Sequence, residues 1–238
     1  MNTPLKLSGV VLLTGALYAG NAAALPTIDL DYQNATYGFN SGTLVNTSPS
    51  KTYNNINAGM FNFTTSNPTG TSPIAWTGAL AAFCIDLDVF LDESNRTYEL
   101  KTASSYFGDA NLVSSISKLY TGYEGSVNDK TSSAAFQLAL WEVIYEKGGS
   151  YGMTNGNFTA TGPFNGSRAA ADTMLAGLAG QSEGYDMYVL DAVTINGEKD
   201  SQDLLLFKPK PPVSVPEPGT LALLGLGLAG LAVRRKKA

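Results

Sequence analysis

The chain has 238 residues, a formal net charge of −5, no histidine and a single cysteine, Cys84. The lack of histidine excludes a Ser-His-Asp or Cys-His catalytic pair and any His-ligated metal site. With Lys6 and the four basic residues of the C-terminus set aside, ten Lys and Arg face twenty Asp and Glu, an acidic balance that argues against nucleic acid or an anionic membrane surface as partner.

Residues 1–24 read as a secretory signal. Lys6 precedes an apolar run from Leu7 to Ala19, and the small residues Gly20 to Ala24 supply a cleavage site after Ala24. From Leu25 to about Ala82 the pattern is strand-like. Thr27–Tyr32 and Gly59–Thr64 alternate apolar and polar residues, separated by Asn, Ser, Pro and Gly turn clusters. Ala81–Phe90 is a more continuously apolar strand that contains Cys84. A turn follows at Asp92–Asn95, with a returning strand at Arg96–Leu100. On that apolar strand Asp86 and Asp88 share a face. With Asp92 and Glu93 they form a weak candidate for Ca²⁺, but no EF-hand pattern supports it, and solvated acids are the plainer reading. No metal site or cofactor is expected.

Helices begin near Asp109, with Leu112, Ile116, Leu119 and Tyr120 at helical spacing. The strongest helix is predicted over Ser132–Lys147, capped by Asp129, Thr131 or Ser132 and ended by Gly148-Gly149. Glu142, Glu146 and Lys147 are expected on its wet face. A Gly-, Asn- and Thr-rich loop fills 150–165, and a third helix spans Ser167–Leu178. Strands at Asp186–Val193 and Gln202–Phe207 form an antiparallel pair, with the Asn196-Gly197 turn signal between them. The order predicts one α+β domain over residues 25–207, a β-sandwich or barrel with a small inserted helical subdomain.

Residues 208–215 are a Pro-rich spacer. After it come Pro216-Glu217-Pro218, an apolar run from Leu221 to Val233, and Arg234, Arg235, Lys236 and Lys237. The run reads as a short membrane helix with its basic end held in the cytoplasm. Together, residues 216–238 resemble the PEP-CTERM sorting signal of Gram-negative bacteria. That resemblance implies processing by an exosortase, transient anchoring in the inner membrane, and delivery to the cell surface or extracellular matrix.

An exported chain with one cysteine forms no internal disulfide. Cys84 is therefore buried and inert, paired with another molecule, or chemically employed. The predicted helix supplies an electrophile. Gln137 shares a face with Ala134, Trp141 and Ile144, and burying an unpaired amide there costs a few kcal/mol. Attack of the Cys84 sulfur on the Gln137 side-chain carbonyl, with loss of ammonia, gives an internal thioester. A nucleophile on a partner surface protein or polysaccharide then takes the acyl group in a single turnover, which is attachment rather than enzymatic catalysis. Phe83 and Trp141 would wall the pocket, and Asp86 would support it.

Phe83-Cys84-Ile85-Asp86 and Gln137-Leu138-Ala139-Leu140-Trp141 resemble the Cys–Gln thioester domains of bacterial surface adhesins. The resemblance covers about Ala81–Tyr145 and implies adhesion through the Cys84–Gln137 pair. Two departures stand out. Phe136 occupies the position where the adhesins carry Thr or Ser, and Leu140 replaces Ile. The alternative is a non-reactive structural or glycan-binding matrix protein, in which Cys84 is a core residue and Gln137 a satisfied one.

Overall fold

The computed structural model describes residues 24–146, 150–194 and 197–211. The signal segment, the sorting motif with its apolar run and basic end, the glycine pair after the long helix and Asn196 of the turn signal lie outside them.

Among the described residues, nine strands and four α-helices follow in chain order: β1 (Thr27–Ala35), β2 (Asn40–Thr47), β3 (Ser50–Ala58), β4 (Phe61–Thr69), β5 (Ala79–Cys84), β6 (Arg96–Thr102), α1 (Ala103–Phe107), α2 (Ala110–Tyr123), α3 (Lys130–Tyr145), β7 (Phe158–Thr161), α4 (Ser167–Gly177), β8 (Tyr185–Ala192) and β9 (Leu204–Pro209). Six strands close an antiparallel barrel in the order β1-β4-β5-β9-β8-β6. The other three form a sheet ordered β3-β2-β7. All four helices and β7 are inserted between β6 and β8. Of the two architectures expected, the barrel is the one formed. Its last strand runs through Pro209, and Lys210 still donates its N–H to the Gly184 carbonyl, so the first residues of the expected spacer belong to the fold.

Helix α3 is the hub of the insertion. Its start is fixed by a capping box: the Asp129 carboxylate accepts the Ser132 N–H at 2.7 Å, and the Ser132 hydroxyl accepts the Asp129 N–H at 3.1 Å. Every residue from Ser133 to Val143 is buried. A helix with no wet side needs cover all round. Here α2, α4, β2, β3 and β7 pack against it, and β5 of the barrel meets it at the Phe83–Phe136 ring contact. The wet face expected at Glu142 and Glu146 is therefore absent, and Lys147 lies outside the described residues. Glu142 is wholly buried and Glu146 nearly so, because the segment from residue 150 to β7 folds over them.

Strand β5 explains its own composition. Ala82, Phe83 and Cys84 are buried in succession, which an alternating half-wet strand does not allow. It also ends sooner than expected. Residues beyond Cys84 leave the strand, so Asp86 and Asp88 do not share a sheet face; Asp86 instead accepts the Asp88 N–H at 2.8 Å in a local turn.

The second sheet is fitted closely to the insertion. A Cβ on Gly42 of β2 would lie 2.3 Å from the Phe164 ring, which is itself buried. Gly42→Ala should therefore lower stability by about 1–3 kcal/mol, read as a shift of the urea midpoint at constant slope.

Candidate functional site

The site forms where a barrel strand runs out of partners. Strand β4 begins at Phe61, opposite Ala82, so β5 has no strand beside it at Cys84 on that edge. Backbone polar groups buried at such a place must find other partners. Gln137 of α3 provides them. The Cys84 N–H donates to Gln137 Oε1 at 3.0 Å, and Gln137 Nε2 donates to the Cys84 carbonyl at 2.8 Å. The side-chain amide thus continues the sheet in place of a strand residue. Both residues are about 1% exposed. The expected pair is brought together, and the burial of an amide on α3 has a complete structural explanation.

Two turns along α3 from Gln137, Tyr145 repeats the device. Its hydroxyl donates to the Ile85 carbonyl at 3.1 Å and accepts the Leu87 N–H at 3.0 Å. Residues 84–87 are therefore clamped to the helix from both ends. The eight-residue spacing from Gln137 to Tyr145 places both on one helical stripe, a signal present in the sequence but not used above.

The thiol donates to the Asp86 carbonyl at 2.8 Å. Burial pushes the Cys84 pKa well above the ordinary thiol value, and the charges of Asp86 and Asp203 push the same way. The hydrogen bond to the Asp86 backbone and the nearby Trp141 indole N–H act against them. That N–H has no partner at hydrogen-bonding geometry, although it is close enough to the sulfur to favour a thiolate. Burial is the largest of these effects, and the balance favours the protonated thiol.

The expected pocket residues separate into different roles. Phe83 packs against Phe136, ring centroids 4.6 Å apart, and Phe136 also meets Tyr120 and Phe207 edge-on. Phe136 is thus an aromatic-core residue, which accounts for the missing hydroxyl at that position. Asp86 supports the site through its backbone carbonyl while its carboxylate caps the Asp88 turn. Trp141 lines a cavity of about 210 Å³ together with Gln202, Phe61 and Phe90. No pattern in the sequence marks Gln202, which comes from the loop before β9.

Behind Cys84, buried Asp203 accepts from the Ala192 N–H at 3.0 Å, from the Tyr106 hydroxyl and from Lys199. Its backbone carbonyl accepts the Ile85 N–H at 3.0 Å. Two of the other acids singled out above are taken up by ordinary partners. Asp88 pairs with Lys51 and Tyr53, and Asp92 with Arg96 and Ser94. Among the described residues no group of three or more Cys, Asp and Glu is arranged to hold a metal, and no helix is long and apolar enough to cross a membrane.

Residues 214–236 match the PEP-CTERM protein-sorting motif. The motif marks an exported protein of the cell surface or extracellular space, recognised and processed by an exosortase. No curated protein matches the chain.

Proposed function

We propose that Cys84 and Gln137 form an internal thioester, through which the exported domain attaches covalently to a nucleophile on a surface or matrix partner. The observation that carries this reading is the reciprocal pair of hydrogen bonds locking the Gln137 amide onto the Cys84 backbone. It fixes the Gln137 side chain against the Cys84 backbone and aims the Cys84 N–H at the carbonyl oxygen that gains charge during attack. As the S–C bond forms, the Gln137 C–N bond breaks, and the thiol proton leaves with the amide nitrogen as ammonia. Burial of the pair excludes water from the acyl carbon. The sorting tail fits the same reading. Its apolar run and basic end hold the chain transiently in the inner membrane until exosortase processing frees the domain.

Intact mass of the domain spanning residues 25–211, purified without amines, provides the test. The expected mass is lower than the sequence mass by one ammonia. Methylamine then adds at Gln137 and frees one thiol, and Cys84→Ala shows neither change. A mass equal to that of the unmodified sequence rejects the thioester and leaves the pair as a structural clamp.

A further inference from the structure

Strand β5 ends at Cys84, and the residues after it are bound by a short series of hydrogen bonds. The Ile85 N–H donates to the Asp203 carbonyl at 3.0 Å, and the Asp88 N–H donates to the Asp86 carboxylate at 2.8 Å. Between them, the Asp86 carbonyl accepts the Cys84 thiol at 2.8 Å. The Tyr145 hydroxyl spans this carbonyl on both sides along the chain. It donates to the Ile85 carbonyl at 3.1 Å and accepts the Leu87 N–H at 3.0 Å. A phenol has one proton to donate and lone pairs to accept with, so a single oxygen serves both groups.

The connection from Tyr145 to the sulfur runs through one peptide unit. The Leu87 N–H and the Asp86 carbonyl are opposite ends of the same planar group, so fixing one end fixes the direction of the other. Tyr145 holds the N–H end, and the thiol takes the carbonyl end. A cysteine side chain has three staggered positions, and the bond to Asp86 selects one of them. Tyr145 is itself braced. It closes α3, and its ring stacks on Phe158 with centroids 5.5 Å apart. Gln137 lies eight residues earlier on that helix, about 12 Å along its axis. One rigid element therefore carries both constraints. Gln137 binds the backbone of residue 84, and Tyr145 binds the peptide that orients its side chain.

We propose that Tyr145 is the positioning residue of the Cys84 thiol, acting through the Asp86–Leu87 peptide. The proposal rests on the thioester reading above and adds the group that fixes the nucleophile. Without the hydroxyl, the 86–87 peptide is free to rotate, and the thiol populates staggered positions from which attack on the amide carbon is misaligned.

Tyr145→Phe keeps the ring and removes only the hydroxyl. Gly42→Ala is the control, because it loosens the fold at the Phe164 contact rather than at residues 84–87. The first measurement follows the loss of one ammonia by intact mass after timed cell-free synthesis. Tyr145→Phe should lose it about tenfold more slowly than the native protein, and Gly42→Ala at the native rate. The second is the infrared S–H stretch, which belongs to Cys84 alone because the chain has no other thiol. It is read after methylamine has freed the thiol. The band should move to higher frequency in Tyr145→Phe, as the bond to Asp86 is lost, and stay in place in Gly42→Ala. A native rate in Tyr145→Phe, equal slowing in both variants, or an unmoved band overturns the proposal. Failure of the thioester reading looks different: the native protein then keeps its ammonia. The band is in that case read on the protein as purified, and its shift or constancy in Tyr145→Phe still decides whether Tyr145 orients the thiol.

Discussion

Removing the side chain at position 137 and at position 84 should abolish thioester chemistry equally and yet cost very different amounts of stability. Cys84→Ala keeps both hydrogen bonds to Gln137, because they involve only the backbone of residue 84. It deletes one buried sulfur, a loss of about 1 kcal/mol. Gln137→Ala leaves a buried N–H and a buried C=O without partners at the end of β5. At about 1–3 kcal/mol for each group, the domain should lose roughly 2–5 kcal/mol. Gln137→Glu is a sharper probe. It keeps an acceptor for the Cys84 N–H but sets a second oxygen against the Cys84 carbonyl, so it should be at least as damaging as the alanine. Cys84→Ala is the proper reference for the two Gln137 variants, since all three lack the acyl bond and it alone retains the clamp. Denaturant midpoints of the variants measure the contrast. Similar losses for Cys84→Ala and Gln137→Ala would mean that the amide does not hold the end of β5, and the geometric basis of the proposed chemistry would fall with it.

The same contrast marks how far the sequence could be read. Cys84 and Gln137 were legible together because their surroundings have separate signatures, an apolar strand and a long apolar helix. The barrel strands were legible where one face is wet, as in β1 and β6, since alternation reports a half-buried surface. Two kinds of feature were hidden. Helix α1 and strand β7, of five and four residues, are too short to show a period. The cover over α3 is the other kind. Glu142 and Glu146 fall at positions that look wet in isolation, and only the fold of the following segment buries them. Gln202 was invisible for a similar reason: it lies in a loop, and only closure of the barrel brings it beside Trp141. Phe136 reads as a departure from the adhesin pattern, yet its place among Phe83, Tyr120 and Phe207 makes it a packing residue.

The buried acids of α3 predict an unusual dependence of stability on pH. Glu142 accepts the Gly152 N–H at 2.8 Å through one oxygen, while its second oxygen is buried without a partner. Nearby, Glu146 accepts the N–H groups of Asn157 and Phe158 at 2.7 and 3.0 Å, and Asp172 of α4 accepts that of Met153 at 2.7 Å. Burial raises the Glu142 pKa to about 8, with the Gly152 hydrogen bond opposing and the charges of Glu146 and Asp172 adding to the rise. In the unfolded chain the same carboxyl titrates near 4.5. Between those values the unfolded state has lost a proton that the folded state retains, so rising pH favours unfolding. The stabilisation is complete below about pH 4.5 and is lost as pH approaches 8, an effect on the order of 5 kcal/mol. Asp203, whose pKa is also raised by burial, contributes a slope of the same sign. Asp88, Asp92, Asp129, Glu183 and Asp191 are lowered and act oppositely, at more acidic pH. Stability should therefore peak in mildly acidic solution. Glu142→Gln keeps an oxygen for Gly152 and removes the ionisation. It should flatten most of the decline, leaving the variant more stable than the native domain at pH 9 by several kcal/mol. Guanidinium midpoints across pH 4.5–9 measure both curves. Parallel curves for the two proteins would place the decline elsewhere and would show that Glu142 ionises without opening the segment folded over α3.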